Sequence, residues 1–592
     1  MHLVDQIKKA AAEALSSVYQ VSVPAGSILV NATKPEFEGN YTLVLFAFVK
    51  ELKLSPDALG EALGNHLLAT YPHLFTAHNT IKGFLNLTIA DAFWFECINN
   101  GNNNKLTNNG KTVMVEYSSP NTNKPLHLGH LRNNFLGWSI AAILEATGNK
   151  VVKTCIVNDR GIHICKSMIA WQLFANGATP VSTGKKGDHF VGDYYVKFND
   201  AYKAEVAGLV AGGIATEVAE KEAPIMKATQ KMLLDWEAGD PAVLELWRNM
   251  NGWVYEGFDV TYKSIGSDFD KTYYESETYL LGKDLVEYGL TKNVFYKKED
   301  GSVWIDLTTD GLDEKLVQRK DGTSVYITQD IGLAQTKQKE FNADQSIYVV
   351  GDEQNYHFKV LKLICQKLGL PAADGIYHLS YGMVELPTGK MKSREGTVVD
   401  ADDLVAAMID IAKQKTEELG KVKDFTAAEL ETLYHTIGLG ALKFFLLRVD
   451  PKKKMIFNPE ESIDFHGFTG PFIQYTHARI KSILRKAEGS DTASVVQPGT
   501  ATPLLPLEKE VTIQLEQFTS MLEEAAAAFD PSKVAIFIFN LAKTFNALYA
   551  EHSITNAETD EKKILRLQLA ALTAKTLKTG MAVLGIPVPE KM

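Results

Sequence analysis

The sequence predicts an α/β protein built on a doubly wound parallel sheet, with an α+β domain before the sheet and an all-α domain after it. A short apolar run, TVMVEY, is followed by Leu131, Phe135, Trp138 and Ala142 at helical spacing, and then by a second apolar run, VVKTCIV. A strand, a helix and a strand at this spacing form a parallel crossover unit. From residue 403 onward the pattern is almost entirely helical, and 592 residues are too many for one core.

The elements divide the chain into three predicted domains. Residues 1–108 run from an amphipathic helix in MHLVDQIKKAAAEALSSVYQ to the strand-like GFLNLTI, and NNGNNNKLTNNG follows as a turn-rich linker. Residues 109–402 carry the Rossmann-type sheet, with a helical insertion at about 178–260. Further strands are predicted there in SVWIDL, SVYIT, QSIYVVG and IYHLSYGMV. Residues 403–592 form the all-α domain, with its main break at DFHGFTGPFIQY.

Composition excludes several classes of protein. The hydrophobic content of 45% and the charged content of 22% are those of a globular chain. No apolar run approaches the length of about twenty residues that spans a bilayer, and the first residues lack a signal-peptide core. The 4 cysteines form no CxxC pair, so we expect reduced thiols and a cytoplasmic protein. The net charge of −11 argues against a general nucleic-acid coat, although a local basic face is compatible with it.

The stretch SSPNTNKPLHLGHLRNNFLG places His127 and His130 on either side of Gly129, between a predicted strand and a predicted helix. Free N–H groups and the positive dipole end at the start of a helix favour phosphate. Gly129 would let a ligand approach the backbone, and the imidazoles could donate to developing phosphoryl charge. A zinc site is one alternative, although HxxH alone is weak evidence for zinc. The other alternative is a pair of histidines that cap the helix.

A cation-rich stretch, GKMKSREGTVVD, follows the strand-like IYHLSYGMVEL. Lys390, Lys392 and Arg394 alternate there with Met391 and Ser393. This pattern suits a clamp for polyanionic phosphate, and it equally suits a solvated loop.

Together the two stretches resemble HIGH and KMSKS, the signatures of class I aminoacyl-tRNA synthetases. Residues 127–130 match the first closely, and residues 390–394 depart from the second at Ser393, where another lysine is usual. The segments SSPNTNKPLHLGHLR, DGTSVYITQDIG, YVVGDEQNYHF and GFTGPFIQYTHARI resemble arginyl-tRNA synthetases, nearly from end to end of the chain. In that family a lysine just before the histidines is thought to replace the missing one, and Lys124 stands there.

The resemblance implies a reaction and its partners. L-Arginine and ATP, with Mg²⁺, would give arginyl-adenylate and pyrophosphate, and arginine would then pass to the 2′-hydroxyl of the terminal adenosine of tRNA(Arg). Such enzymes generally need tRNA for the first step as well. The N-terminal domain would grip the tRNA elbow and the C-terminal helices would bind the anticodon. We expect a monomer without a membrane partner and without a tightly bound, protein-ligated metal.

The side chain of arginine is a planar cation that carboxylates bind best. Asp330 follows Tyr326 by one helical turn in YITQDIG, at a predicted strand end that leads into a helix, so both could face one pocket. By resemblance, Tyr326 and Asp330 bind the guanidinium, with Glu116 as a second acidic partner. Asn121 would bind the carboxylate or amino end of arginine, and Gln354 the amino end.

The resemblance also assigns residues to catalysis, ATP and tRNA. The expected catalytic residues are His127, His130, Lys124, Lys390, Lys392 and Arg394. The expected ATP contacts are Ser118, Ser119, His127, Leu128, Gly129, His130, His357, Met391 and Ser393. In YTHARIKSILRKA, the expected tRNA contacts are Tyr475, His477, Arg479, Lys481 and Arg485. Aromatic side chains there could stack on unpaired bases, and a solvated helix face is the alternative.

Three other classes of function compete with this interpretation. A small-molecule adenylyltransferase shares an HxGH motif but has no use for a long helical C-terminal region. A tRNA-binding scaffold, such as a degenerate synthetase paralogue, would be expected to lose the histidines, Tyr326 or Asp330, and all of them are present. A zinc hydrolase is the third alternative.

Overall fold

The computed structural model describes residues 2–34, 36–101, 108–385, 387, 399–418, 420, 425–487 and 503–592. Part of the predicted linker and all five residues of the cation-rich segment 390–394 therefore lie outside the described residues. Within these ranges, every helix is too short or too polar to cross a bilayer.

The N-terminal region combines an antiparallel sheet with four helices, as the sequence predicts. Its four strands lie in the order β1-β2-β4-β3, and the amphipathic helix and the strand in GFLNLTI are confirmed as α1 and β4. Helix α3 packs on the sheet and α1 packs on α3. The elements are α1 (Leu3–Tyr19), β1 (Val30–Ala32), β2 (Tyr41–Val44), α2 (Phe46–Leu52), α3 (Pro56–Thr70), β3 (Phe75–Ile81), β4 (Phe84–Ile89) and α4 (Asp91–Asn100).

The central region contains the predicted parallel sheet and its helical insertion. The elements up to the end of the insertion are β5 (Thr112–Glu116), α5 (Leu128–Ala146), β6 (Lys150–Val157), α6 (Ile162–Phe174), α7 (Pro180–Thr183), α8 (Gly187–Ala211), α9 (Thr216–Glu222), α10 (Pro224–Glu237) and α11 (Pro241–Ile265). The chain then continues through β7 (Lys271–Tyr274), α12 (Glu275–Thr278), α13 (Lys283–Thr291), β8 (Tyr296–Lys297), β9 (Val303–Ile305), β10 (Lys315–Gln318), α14 (Tyr326–Phe341), β11 (Gln345–Gly351), α15 (Asn355–Lys367), β12 (Ile376–Tyr381) and β13 (Val384–Glu385).

The five strands of the parallel sheet lie in the order β12-β11-β5-β6-β7. From β5 the chain moves outward through β6 to β7, and it then returns to the other side of β5 for β11 and β12. The direction of winding thus changes between β5 and β11, and in such sheets ligands bind beyond the carboxyl ends of the strands at this point. We call the side of the sheet beyond those ends the carboxyl edge.

Two predicted strands differ from the structure. SVWIDL forms β9, but β9 belongs to a small antiparallel sheet in the order β10-β9-β8 rather than to the parallel sheet. The prediction of a strand in SVYIT is wrong, because Tyr326 is the first residue of helix α14. The helix is favoured by Ile327 and Ile331, which are one turn apart and both buried.

The C-terminal region is helical, as predicted, with its break between residues 462 and 470. Its elements are α16 (Ala401–Glu418), α17 (Ala427–Leu447), β14 (Met455–Ile456), α18 (Pro459–Ser462), α19 (Gly470–Lys486), α20 (Pro506–Ala528), α21 (Pro531–Glu551) and α22 (Asp560–Val583). Helix α5 of the central region packs against α17, α20, α21 and α22. The two regions therefore share one continuous apolar core.

Candidate active site

The two histidines of the HLGH motif cap helix α5 through hydrogen bonds between their rings and backbone N–H groups. His127 is the N-cap residue, and its Nδ1 accepts a hydrogen bond from the N–H of Gly129 at 3.1 Å. The N–H of His127 donates in turn to Nδ1 of His130 at 3.1 Å. The two rings lie against each other, with centroids 3.9 Å apart and planes inclined by 36°. The capping interpretation is therefore confirmed as the local structure.

The cap also determines what the imidazoles can offer a ligand. Burial, together with the charge of Lys124, lowers the pKa of His127 to about 3, and burial lowers that of His130 well below its usual value. Both rings are therefore neutral at physiological pH. A ring nitrogen that accepts a hydrogen bond carries no proton, so the proton of each ring lies on Nε2. Both histidines are thus fixed as Nε2–H donors, and neither Nε2 atom has a partner among the described residues.

The neighbours of the histidines correct three expectations about ATP contacts. Leu128 has a fully buried side chain, and its N–H donates to the carbonyl of Val399 at 3.2 Å, so it offers a ligand neither group. The hydroxyl of Ser118 lies 2.7 Å from that of Tyr262 and is likewise occupied inside the protein. A Cβ at Gly129 would lie 3.0 Å from the ring of His127, so this glycine makes room for the ring rather than for a ligand.

Lys124 lies beside the histidine pair, as the family resemblance implies. It lines a small cavity of about 180 Å³ with His127, His189 and Asp400. Its positive charge contributes to the lowered pKa of both His127 and His130. Ser119, a further expected ATP contact, has φ +46° in the turn after β5.

A larger cavity of about 590 Å³ lies beyond the ends of β6 and β7. Tyr326 lines it with a phenol side chain in a residue that is 77% exposed. Glu275 lines it from the first position of α12, directly after β7. Arg160 closes one wall, with its guanidinium 3.9 Å from the ring centroid of Tyr279. The cavity thus combines the carboxylates of Glu237 and Glu275 and two aromatic rings with three cationic side chains, those of Arg160, Lys283 and Arg319.

Glu275 is a candidate site residue that the sequence analysis missed. Burial, opposed by the charge of Arg160 and helped by the negative charges of Asp159 and Asp330, raises the pKa of its carboxyl group to about 7. A cation bound beside this carboxyl group would favour its ionised form, so cation binding and loss of the proton are coupled at this position. The sequence contained one signal for this residue: an acidic side chain stands immediately after the strand KTYY, at the carboxyl edge.

The remaining residues expected to bind arginine lie at the same edge in different surroundings. Asp330 lies one turn after Tyr326 on α14, and its carboxylate accepts from Nε2 of His357 at 2.6 Å. This contact joins an expected arginine ligand to an expected ATP contact. Gln354 is exposed at the start of α15, and Asn121 is exposed after β5.

Glu116 requires a correction. Its residue is 6% exposed, and its carboxylate forms an ion pair with the buried ammonium of Lys337, which extends from α14. The charge of Glu116 is therefore already neutralised within the protein, so the structure does not leave it as a free second carboxylate for a guanidinium.

Comparison with known proteins identifies the family. The description "tRNA synthetases class I (R), catalytic domain" matches residues 96–458, and "DALR anticodon binding domain" matches residues 473–592. The chain is 52% identical to the arginine–tRNA ligase of Amoebophilus asiaticus over 99% of each chain, and 52% identical to that of Bacteroides fragilis over 100% of each. The structure of Thermus thermophilus arginyl-tRNA synthetase has the same fold, with a TM-score of 0.78 at 24% identity over 99% of each chain.

The chain belongs to the arginine–tRNA ligase family. Members of this family are ATP- and tRNA-dependent ligases, and this membership removes the adenylyltransferase and zinc-hydrolase alternatives.

Within this arginine–tRNA ligase fold, helix α19 presents fewer side chains to RNA than its sequence suggests. His477 is 1% exposed, and its Nδ1 lies 3.0 Å from the carbonyl of Pro589, so the prediction that it stacks on a base is wrong. Lys481 forms an ion pair with Glu590 at 3.0 Å, and Arg485 donates to the carbonyl of that residue at 2.9 Å. The last residues of the chain thus cover this part of the helix.

The other two residues expected to bind tRNA lie on the same helix, against each other. The guanidinium of Arg479 lies 4.9 Å from the ring centroid of Tyr475 and donates to Asn546 at 2.8 Å. Both side chains are partly exposed.

In this arginine–tRNA ligase fold, a charged cluster joins helix α8 of the insertion to the start of α16. The ammonium of Lys186 lies 2.6 Å from Asp402 and 3.1 Å from Asp188, and Nε2 of His189 lies 3.1 Å from Asp402. Asp400, the residue directly before α16, forms a β-bridge with His127. Asp188, His189 and Asp402 could also ligate a metal ion, but the ammonium of Lys186 already neutralises both carboxylates.

We expect this cluster to make stability depend on pH. The hydrogen bond with Asp402 raises the pKa of His189, and the charges of Asp400 and Asp188 add to the effect. A raised pKa in the folded state stabilises the fold at pH values below the usual histidine pKa, and this stabilisation is lost as the pH rises through the raised value. His189→Gln should therefore lower the free energy of unfolding by about 0.2–1 kcal/mol at pH 5.5, and by less at pH 8.5.

Equilibrium urea unfolding at the two pH values measures this difference. His466→Gln, which removes an exposed imidazole, is the control and should show no such dependence. An equal loss of stability at both pH values in His189→Gln would contradict the ion-pair explanation.

Proposed function

We propose that the chain performs both steps of arginine–tRNA ligation at the carboxyl edge, with the residues described above. The observation that carries this assignment is that the histidine pair, with both Nδ1 atoms engaged, and a cavity lined by Tyr326 and Glu275 belong to the same edge of one sheet. The histidine pair suits the phosphates of ATP, and the carboxylates of the cavity suit a guanidinium.

The proposed arginine pocket is the 590 Å³ cavity. The guanidinium would lie between Glu275 and the nearby charge of Asp330, against the phenol of Tyr326. Neutral analogues such as citrulline would leave the carboxylates without a partner, which is costly in a partly buried site. Asn121 and Gln354 remain candidates for the carboxylate and amino ends.

The first step needs no protein nucleophile, because the carboxylate of arginine attacks the α-phosphorus of ATP in line. Catalysis then depends on positioning and on donors that follow the developing charge. His127 and His130 would supply two such donors, each contributing about 2.7–4 kcal/mol of transition-state stabilisation. Lys124 would supply a positive charge on the same side. Mg²⁺ would enter with ATP, held mainly by the phosphates.

The second step would transfer arginine to the 2′-hydroxyl of the terminal adenosine of tRNA(Arg). The N-terminal region would hold the tRNA elbow, and α19 to α22 would hold the anticodon arm. A monomer suffices for this scheme, because one chain supplies every residue proposed for it. A cytoplasmic location remains a prediction, and it accords with a role in translation.

ATP–pyrophosphate exchange tests this function directly. Exchange should require L-arginine, should be strongly stimulated by tRNA(Arg), and should not occur with citrulline. Exchange that is independent of arginine would contradict the proposal.

The raised pKa of Glu275 gives a specific expectation for arginine binding. A guanidinium binds the ionised carboxylate, so affinity should increase as the pH rises through about 7. Between pH 6 and pH 8 the ionised fraction grows about tenfold for such a group, and the Kd for L-arginine should fall by about that factor.

Isothermal titration of L-arginine, in buffers with different ionisation enthalpies, measures both the affinity and the release of a proton. Glu275→Gln should bind arginine weakly and with no pH dependence in this range. Asp330→Asn, the comparison variant, should also bind weakly but should keep the pH dependence. An unchanged pH profile in Glu275→Gln would exclude Glu275 from the pocket.

A second expectation concerns the lysine that is missing from the KMSKS-like segment. Lys124→Ala should lower the rate of pyrophosphate exchange far more than Lys392→Ala, because Lys124 lies beside both histidines. Lysine binds phosphate as a point charge and can act from either side. Ser393→Lys should therefore restore part of the activity of Lys124→Ala. A silent Lys124→Ala variant, or a double variant without recovery, would show that no compensation exists.

A further inference from the structure

Asp159 is a buried carboxylate to which the proposed mechanism gives no role. It stands two residues after β6, at the carboxyl edge, and is 1% exposed. The adjacent cation, Arg160, lines the 590 Å³ cavity and pairs with Glu237 at 3.0 Å. A carboxylate at this depth is costly unless hydrogen bonds satisfy its oxygens. The donors that satisfy Asp159 therefore indicate what the residue does.

Two of these donors come from the helix that begins with Glu275. Ser276 follows Glu275 directly in α12. The N–H of Ser276 donates to Oδ1 of Asp159 at 2.8 Å, and its hydroxyl donates to Oδ2 at 2.7 Å. A helix of four residues has little stability of its own, so such contacts matter for its position. Because the N–H belongs to the peptide unit that joins Glu275 to Ser276, the two bonds fix the backbone that carries Glu275 at the cavity.

The other donors come from α11, the last helix of the insertion. The phenol of Tyr255 donates to Oδ2 of Asp159 at 2.8 Å. The backbone carbonyl of Asp159 accepts from Nε1 of Trp247 at 2.7 Å and from Nδ2 of Asn251 at 3.1 Å. These three side chains follow one another at intervals of four residues, so they lie on one face of α11. Asp159 thus connects this face of the insertion to α12.

The contacts of the Asp159 side chain require a carboxylate rather than an amide. An ionised carboxylate only accepts hydrogen bonds, whereas the amide of asparagine has an NH₂ group in place of one oxygen. In Asp159→Asn, this NH₂ group would face either the N–H of Ser276 or the hydroxyls of Ser276 and Tyr255. At least one donor would therefore lose its acceptor, although the shape of the side chain is kept.

We infer that Asp159 is a positioning residue for L-arginine, which holds Glu275 at the cavity and connects it to the helical insertion. The inference rests on the proposed function, because it takes the 590 Å³ cavity as the arginine pocket. Asp159 itself is not among the residues that line this cavity, so it acts on arginine through Glu275.

The charge of Asp159 provides a readout that a purely structural role would not move. It helps to raise the pKa of Glu275, together with the charge of Asp330 and against that of Arg160. The phenols around Glu275 are neutral near pH 7. The other charged side chains at the cavity and on α12 are Glu237, Glu277, Lys283 and Arg319. Asp159→Asn keeps all of these groups, so it should move the midpoint of arginine binding to a lower pH.

The test compares arginine binding and pyrophosphate exchange in the full-length chain and in Asp159→Asn, with tRNA(Arg) present. At pH 8, where Glu275 is largely ionised, the KM for arginine should rise about ten- to a hundredfold, because small misplacements of a binding group have effects of this size. The KM for ATP and the exchange rate at saturating arginine should stay within about twofold. Isothermal titration from pH 6 to pH 8 should show the lower midpoint.

Three further variants make the test specific. Asp159→Asn should add little to the loss of arginine affinity in Glu275→Gln, because residues that act through each other are not additive. Tyr255→Phe keeps the carboxylate and removes one donor of α11, so it should raise the KM for arginine about two- to tenfold without moving the midpoint. Asp200→Asn removes an exposed carboxylate from α8 and should change neither quantity.

The outcomes separate this inference from the proposed function. An unchanged KM for arginine or an unchanged midpoint in Asp159→Asn, an equal rise in the KM for ATP, or additive losses with Glu275→Gln would each overturn the inference. If Asp159→Asn did not fold, an unchanged KM for arginine in Tyr255→Phe would overturn it. If Glu275→Gln bound arginine as tightly as the unaltered chain, the proposed pocket would fail, whatever the role of Asp159.

Discussion

The two hydrogen bonds that the backbone N–H groups of Gly129 and His127 donate to the rings of His127 and His130 are the interaction on which the rest of the active site depends. They satisfy N–H groups at the start of α5 that would otherwise lack partners inside the helix. At the same time they place the single proton of each neutral ring on Nε2. One pair of contacts thus begins the helix, orients both rings and leaves two donors available. Structural capping and phosphate binding are therefore two uses of the same geometry, and an ordinary Ser or Asp cap could supply only the first.

Helix α5 carries this cap into the body of the protein. Beyond the histidines, the guanidinium of Arg132 donates to the carbonyl of Pro451, which follows α17, at 3.1 Å. The hydroxyl of Ser139 donates to the carbonyl of Val583 in α22 at 2.8 Å. Lys443 of α17 donates to the carbonyl of Gly585 at 2.7 Å and lies 5.3 Å from the ring centroid of Phe135. The helix that positions the candidate catalytic donors is therefore in direct contact with the helices of the anticodon-binding domain.

The sequence could predict those features that depend on short-range patterns. The strands β5, β6, β11 and β12 are rich in apolar and aromatic residues, and the histidine motif stands where a strand leads into a helix. Such patterns carry no information about contacts between residues that lie far apart in the sequence. Glu116 pairs with Lys337, 221 positions away, so its carboxylate could not be recognised as occupied.

Two further misses have similar physical causes. His477 meets the carbonyl of Pro589, 112 positions away, so its burial could not be foreseen from the amphipathic pattern of α19. SVYIT has the β-branched composition of a strand, but the spacing of Ile327 and Ile331 in the longer segment favours a helix. Glu275 was missed because a single acidic residue after a short strand carries no pattern. Its role becomes visible only when Tyr326 is seen to line the same cavity.

The central claim is that both histidines are neutral and protonated on Nε2 before any substrate binds. Nitrogen-15 NMR of the chain with labelled histidines, assigned through His127→Asn and His130→Asn, measures the tautomer and charge of each ring from pH 5 to pH 8. The account predicts that both rings stay neutral across this range, with an unprotonated Nδ1 and a protonated Nε2. A ring that titrates between pH 5 and pH 8, or that carries its proton on Nδ1, would contradict it.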